Sequence, residues 1–119
     1  IIAKFGRQWN SKLKTTTENP GIDIKGQPGS PIRTVLGGVV TTITYIRGYG
    51  TTIIVDHGGG FYTVYSHVTN IQTVVDGQVR NGDIIAYMGD SGSINGSKLH
   101  FEIWGKGQKL DPEKWLIKK

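Results

Sequence analysis

From residue 38 onward the apolar and β-branched positions fall in short runs with a period of two. Val39, Thr41, Ile43 and Tyr45 alternate with Val40, Thr42, Thr44 and Ile46. Both sets are β-prone, which predicts a strand. Arg47-Gly48-Tyr49-Gly50 reads as a turn, and Thr51 to Asp56 as the next strand. Gly58-Gly59-Gly60 closes the connection that follows it. Phe61 to Val68 predicts a strand with Phe61, Thr63, Tyr65 and His67 on one face. Asp76-Gly77 and Asn81-Gly82 are turn dipeptides around Gln78-Val79-Arg80, and Asp83 to Met88 is a further strand. Gly89-Asp90-Ser91-Gly92 turns the chain again. Lys98 to Trp104 sets Leu99, Phe101 and Ile103 on one side and Lys98, His100, Glu102 and Trp104 on the other. That pattern predicts a strand with one buried face. Asp111 as N-cap and Pro112 as first helical residue open a short helix ending near Leu116. Residues 1–31 hold prolines at 20, 28 and 31 and no sustained period, and are expected to form a long ordered loop. The strands number about six or seven, which points to an all-β sandwich or barrel.

Composition sharpens this picture. Eighteen glycines and an apolar content of 36% in 119 residues are compatible with disorder, but 3 Trp, 5 Tyr and 3 Phe with abundant Thr, Ile and Val are not. The length suits one compact domain spanning residues 1–119. Without cysteine there is no disulfide scaffold, no thiol nucleophile and no cysteine-ligated metal. Apolar runs such as Ile53-Ile54-Val55 are far shorter than the roughly 20 residues of a membrane span. The net charge of +5 is spread out, with only Lys12/Lys14 and Lys118-Lys119 close together. Nucleic-acid binding, which favours a clustered basic stripe, is therefore not expected. The chain starts at Ile1 without a visible signal peptide, and is expected to be a fragment of a longer or processed protein.

The side chains able to carry chemistry are His57, His67, His100, Asp23, Asp56 and Glu102. A lone His is more often a satisfied structural residue than a ligand. Ser66 or Ser91 could join a Ser-His-Asp triad on paper, but neither has a nucleophile-elbow spacing. No phosphate-binding loop or dinucleotide fingerprint is present.

The ordered series Phe5-Gly6, Gly21-Ile22-Asp23, Gly29-Ser30-Pro31-Ile32, Gly37-Gly38-Val39-Val40 and Gly48-Tyr49-Gly50 resembles the LytM/lysostaphin-type zinc endopeptidases. The resemblance continues through Ile54-Val55-Asp56-His57-Gly58, Tyr65-Ser66-His67, Asp76 to Asp83, Gly89-Asp90-Ser91-Gly92, Leu99-His100-Phe101-Glu102-Ile103 and Asp111-Pro112. It implies a compact antiparallel β-domain with an open groove over the sheet and a short C-terminal helix. It also implies zinc held by a His-x-x-x-Asp pair and the second His of His-x-His, with two further His assisting the attacking water. Carried over, the ligand positions are Asn19, Asp23 and His100, and the assisting positions are His67 and Lys98. Asp23, His100 and His67 match, whereas Asn19 and Lys98 do not. A neutral amide is a poor zinc ligand, and an ammonium can neither ligate nor accept a proton. A dication and an ammonium about 5 Å apart repel by roughly 7 kcal/mol at an effective dielectric of about 20. Zinc is therefore expected to be lost, with the Lys98 ammonium lying within reach of Asp23 in its stead.

This is the profile of a degenerate member of the family, similar to the EnvC-type murein hydrolase activators. That similarity implies a catalytically inactive domain, exported to the periplasm or cell envelope, which activates a peptidoglycan amidase by gripping one of its helices. The implied groove has a floor of Asp23, His67, Lys98 and His100, and Arg33, Arg47 and Arg80 are bidentate-capable cations expected near loops, whose place relative to the groove the sequence leaves open. The alternatives are a zinc endopeptidase with an altered site and a non-catalytic module that binds cell-wall peptidoglycan. A lipoyl-type carrier is disfavoured, because Gly89-Asp90-Ser91-Gly92 lacks the required lysine.

Overall fold

The computed structural model describes residues 5–10, 15–90 and 96–116. Its strands are β1 (Gly6–Asn10), β2 (Thr15–Asn19), β3 (Ile22–Lys25), β4 (Pro31–Arg33), β5 (Gly38–Ile46) and β6 (Gly50–Gly58). They continue as β7 (Phe61–Ser66), β8 (Val68–Thr69), β9 (Gln78–Val79), β10 (Ile84–Met88), β11 (Lys98–Gly105) and β12 (Gln108–Leu110), and α1 (Pro112–Leu116) follows. The main sheet runs β12-β11-β7-β6-β5-β9, with β3 pairing the other end of the β11 edge that β12 occupies. A smaller sheet runs β4-β10-β8, and β1-β2 is a separate hairpin. All registered pairings are antiparallel.

The core lies between the two larger sheets. Ile53, Val55, Tyr65, Phe101 and Ile103 from the main sheet cluster with Ile32, Ile85, Ala86, Met88 and Val68 from the smaller one. Alternation along β6, β7 and β11 places those main-sheet side chains on one face, because successive residues of a strand point to opposite sides. At the far end, Asp111 Oδ1 accepts the Glu113 N–H at 3.1 Å, so α1 is capped by the residue expected to cap it.

Three expectations are corrected. Residues 1–31 are not one loop: β1, β2 and β3 lie there, and β4 begins at Pro31. Their segments, GRQWN, TTTEN and IDIK, are too short or too polar to show a period, and pairing forms them instead. β7 stops at Ser66, because His67 adopts a left-handed φ of 64° and breaks the strand. Finally, β11 is buried on both faces, with His100 and Glu102 as enclosed as Leu99 and Phe101. The turn expected at Gly89 to Gly92 falls partly outside the described residues.

Candidate functional site

The site is built where β3 meets β11. A Cβ at Gly21 would stand 2.1 Å from the Phe101 carbonyl oxygen, so only glycine lets the chain approach β11 this closely. The Asn19 Oδ1 accepts the Gly21 N–H at 3.1 Å and fixes the turn that leads into β3. The register then sets Asp23 opposite His100 and Lys25 opposite Lys98.

A continuous polar strip follows along one face of β11. Asp23 Oδ1 lies 2.5 Å from His100 Nδ1, and Glu102 Oε2 lies 2.8 Å from His100 Nε2. Ionised carboxylates only accept, so with both acids charged each ring nitrogen must donate, and the pair of carboxylates favours the imidazolium. Burial alone would push the His100 pKa down, but the hydrogen bonds and charges of Asp23 and Glu102 outweigh it and raise it. The reciprocal effect lowers both carboxyls. Burial raises each, but His100 and Lys98 pull Asp23 below its ordinary value, while His100, Trp104 and Lys109 do so for Glu102.

The strip continues in both directions. Trp104 Nε1 donates to Glu102 Oε1 at 2.7 Å, and Lys109 Nζ stands 3.8 Å from that oxygen and 5.8 Å from the centre of the Trp104 ring. At the other end Lys98 Nζ is 3.5 Å from Asp23 Oδ2, with both side chains about 15% exposed. The ammonium thus reaches Asp23, as its position in the sequence led us to expect.

Tyr49 covers the middle of the strip. Its ring centre is 4.9 Å from that of His100 and 6.4 Å from that of His67. Burial, followed by the charges of Glu102 and Asp23, pushes its phenol pKa up. His67 is fixed by its backbone, whose N–H donates to the Tyr49 carbonyl at 2.8 Å and whose carbonyl accepts the Gly89 N–H at 3.1 Å. His67 and His100 are each 3% exposed. Both rings are enclosed, whereas Lys25 and Lys109 are exposed and Lys98, Tyr62 and Trp104 are half-buried.

The other candidates are placed elsewhere. His57 bridges the Gly37 carbonyl at 2.8 Å and Thr63 Oγ1 at 2.7 Å, and Asp56 Oδ1 accepts the Gly58 N–H at 2.8 Å. Ser66 Oγ is hydrogen-bonded to Thr52 Oγ1 at 3.0 Å, and Ser91 lies outside the described residues. Arg33 Nη1 donates to the Gly82 carbonyl at 2.9 Å, while Arg47 and Arg80 are exposed near turns. Sequence reasoning missed Tyr49, Trp104 and Lys109. Tyr49 was hidden in a Gly-x-Gly turn, but Trp104 stood in plain view on the alternating polar face of β11.

This arrangement does not fit a zinc ion. Asn19 is committed to a turn, and the His100 nitrogen facing Asp23 is held in a hydrogen bond to it. A fixed cation already sits beside the remaining carboxylate. Among the described residues no three His, Asp or Glu side chains group as a ligand set.

The comparisons agree with this fold. The model of peptidase family M23 matches residues 17–112, and the chain belongs to that family. It is 32% identical over 112 residues to the DD-carboxypeptidase/endopeptidase Mpg of Neisseria meningitidis, covering 94% of this chain and 26% of that protein. It is 31% identical over 115 residues to the murein hydrolase activator EnvC of Escherichia coli, covering 97% and 26%. The solved structure of LytU superposes with a TM-score of 0.85 at 28% identity, covering 98% of this chain and 83% of that one. The chain thus spans about a quarter of the length of the curated relatives it matches.

Proposed function

We propose that this M23 domain is a catalytically inactive regulator within a murein hydrolase activator. In this reading it works in the cell envelope, on the periplasmic side, and stimulates a peptidoglycan amidase by binding it. The observation that carries the reading is the Lys98–Asp23 contact at 3.5 Å, which puts an ammonium where a hydrolytic site needs a Lewis acid. An ammonium cannot polarise a bound water as zinc does, and His100, tied at both nitrogens, has no free site for a proton. In this reading the partner lies in a groove above β11, with Asp23 and Lys98 toward its surface and His100 holding Asp23 from below. A groove of this kind suits a helix laid along it, with a few anchors and polar groups that fix register. The likeness to the activator EnvC supports this assignment. No helix among the described residues is long and apolar enough to cross a membrane.

One observation favours a second reading, a peptidoglycan endopeptidase with an altered metal site: the likeness to a DD-carboxypeptidase/endopeptidase is of equal strength. A dye-release assay on labelled peptidoglycan separates the two. The chain alone should release nothing, and the chain added to a cell-wall amidase should raise release severalfold. Release by the chain alone with zinc would establish the endopeptidase. Sedimentation with peptidoglycan and neither activity would leave a cell-wall binding module.

A further inference from the structure

The β11 strip ends in a hollow away from Asp23 and Lys98. A cavity of about 310 Å³ lies between Gly60, Tyr62, Trp104, Gly107, Gln108 and Lys109. Pairing places Tyr62 and Lys109 on either side of Trp104, so all three project from the same face as His100 and Glu102. The Tyr62 and Trp104 rings meet at a tilt, 6.3 Å between centres, and form an aromatic wall. Lys109, about half exposed, stands at its rim. At the opposite end of the strip the exposed Lys25 lies beside Lys98. The acids in between, Asp23 and Glu102, are neutralised internally by His100 and the two flanking lysines. The face therefore presents a cation at each end and an aromatic hollow beside the second, on a chain of net charge +5.

We propose that this hollow is the anchor pocket of the groove, and that its occupant is an apolar side chain on an acidic amphipathic helix of the partner. This rests on the activator reading above and adds the chemistry and spacing of the partner. From Lys98 to Trp104 a strand advances about 20 Å at ~3.4 Å per residue. A helix laid along it covers that distance in roughly 13 to 14 residues at ~1.5 Å each. The same-face position nearest that length is about i+14, four turns on. The partner helix accordingly carries a carboxylate at i facing Lys25 and Lys98, and a Leu or Phe at i+14 entering the Tyr62–Trp104 hollow. A second carboxylate about one turn from that anchor meets Lys109. Charge complementarity selects an acidic helix and sets its register, and the buried anchor supplies the residence time.

The test uses stapled 24-residue helices on an Ala/Gln background, carrying Glu at i and i+18 with Phe at i+14, or the same acids with Phe moved to i+7. The readout is a nitrogen–proton NMR titration of the chain, following the Trp104 indole N–H. The i+14 peptide should shift that signal and bind at least fivefold more tightly than the i+7 peptide. Tyr62→Ala and, separately, Lys109→Glu should each remove at least fivefold of that affinity while the rest of the spectrum stays folded. Affinity indifferent to spacing, or unaffected by both substitutions, overturns the proposal. So does a Trp104 response to a soluble peptidoglycan fragment and not to the peptides. Any of these results leaves the amidase-stimulation assay standing as the independent test of the activator reading.

Discussion

Replacing Glu102 with Gln tests the strip with the least change of shape. Glu102 is 5% exposed and accepts two charge-assisted or buried bonds, from His100 Nε2 at 2.8 Å and from Trp104 Nε1 at 2.7 Å. A glutamine amide has one acceptor oxygen and one donor NH₂, so it can serve one of these N–H groups and must face the other with its own N–H. One buried donor is left unmet, at a cost of about 1–3 kcal/mol. The bond to the imidazolium loses its ionic partner, which adds about 1 kcal/mol. The expected loss is therefore roughly 3 kcal/mol, and a domain of this size would melt about 12–24 °C lower. Urea denaturation followed by tryptophan fluorescence, with Glu113→Gln at the half-exposed start of α1 as control, reads this directly. If Glu102→Gln unfolds within about 0.5 kcal/mol of the unaltered chain, the strip is not the braced ion network described above.

The same network predicts a bell-shaped stability curve. His100 has a raised pKa, so its contribution is full below its ordinary value of 6.5 and is lost as pH rises through the folded value. Asp23 and Glu102 have lowered pKa values, so theirs are present above 3.8 and 4.5 and lost as pH falls through the folded values. Denaturant midpoints should thus peak between about pH 5 and 6 and decline on both sides, and Glu102→Gln should flatten the alkaline limb. Asn19→His combined with Lys98→His restores the family's residue types, and calorimetry should show zinc affinity rising by orders of magnitude. No gain would mean that the His100 and Asp23 orientations, fixed by Glu102 and the Gly21 turn, no longer allow ligation. Lys98→Glu should abolish amidase stimulation with an unchanged circular dichroism spectrum, and full stimulation would remove the groove from the partner site.

Much of this was written in the sequence, and the omissions have physical causes. The β11 alternation showed which residues share a face, and that sufficed to align Lys98, His100 and Glu102. It could not show that this face is covered, because the covering group, Tyr49, comes from a turn whose own pattern is Gly-rich and silent. The strand β3 was lost to its length, since Ile22 and Ile24 give only one period of alternation. Yet β3 delivers Asp23, so the site was identified by family resemblance before its scaffold was. The β1–β2 hairpin lacks an apolar face in its sequence and is defined by its backbone pairing, which no local pattern announces. His67 appeared to extend β7, but its left-handed backbone ends the strand and sends the chain toward β8. Strand periodicity assumes that the strand continues, and fails at such a residue.

The central claim is that an internal ion network, with Lys98 as its resident cation, occupies the place of the family's metal. Native mass spectrometry of the purified chain, equilibrated with one equivalent of zinc and exchanged into volatile buffer, tests it most directly. The expected result is the mass of the metal-free chain. A stoichiometric zinc adduct that disappears on His100→Ala would contradict it.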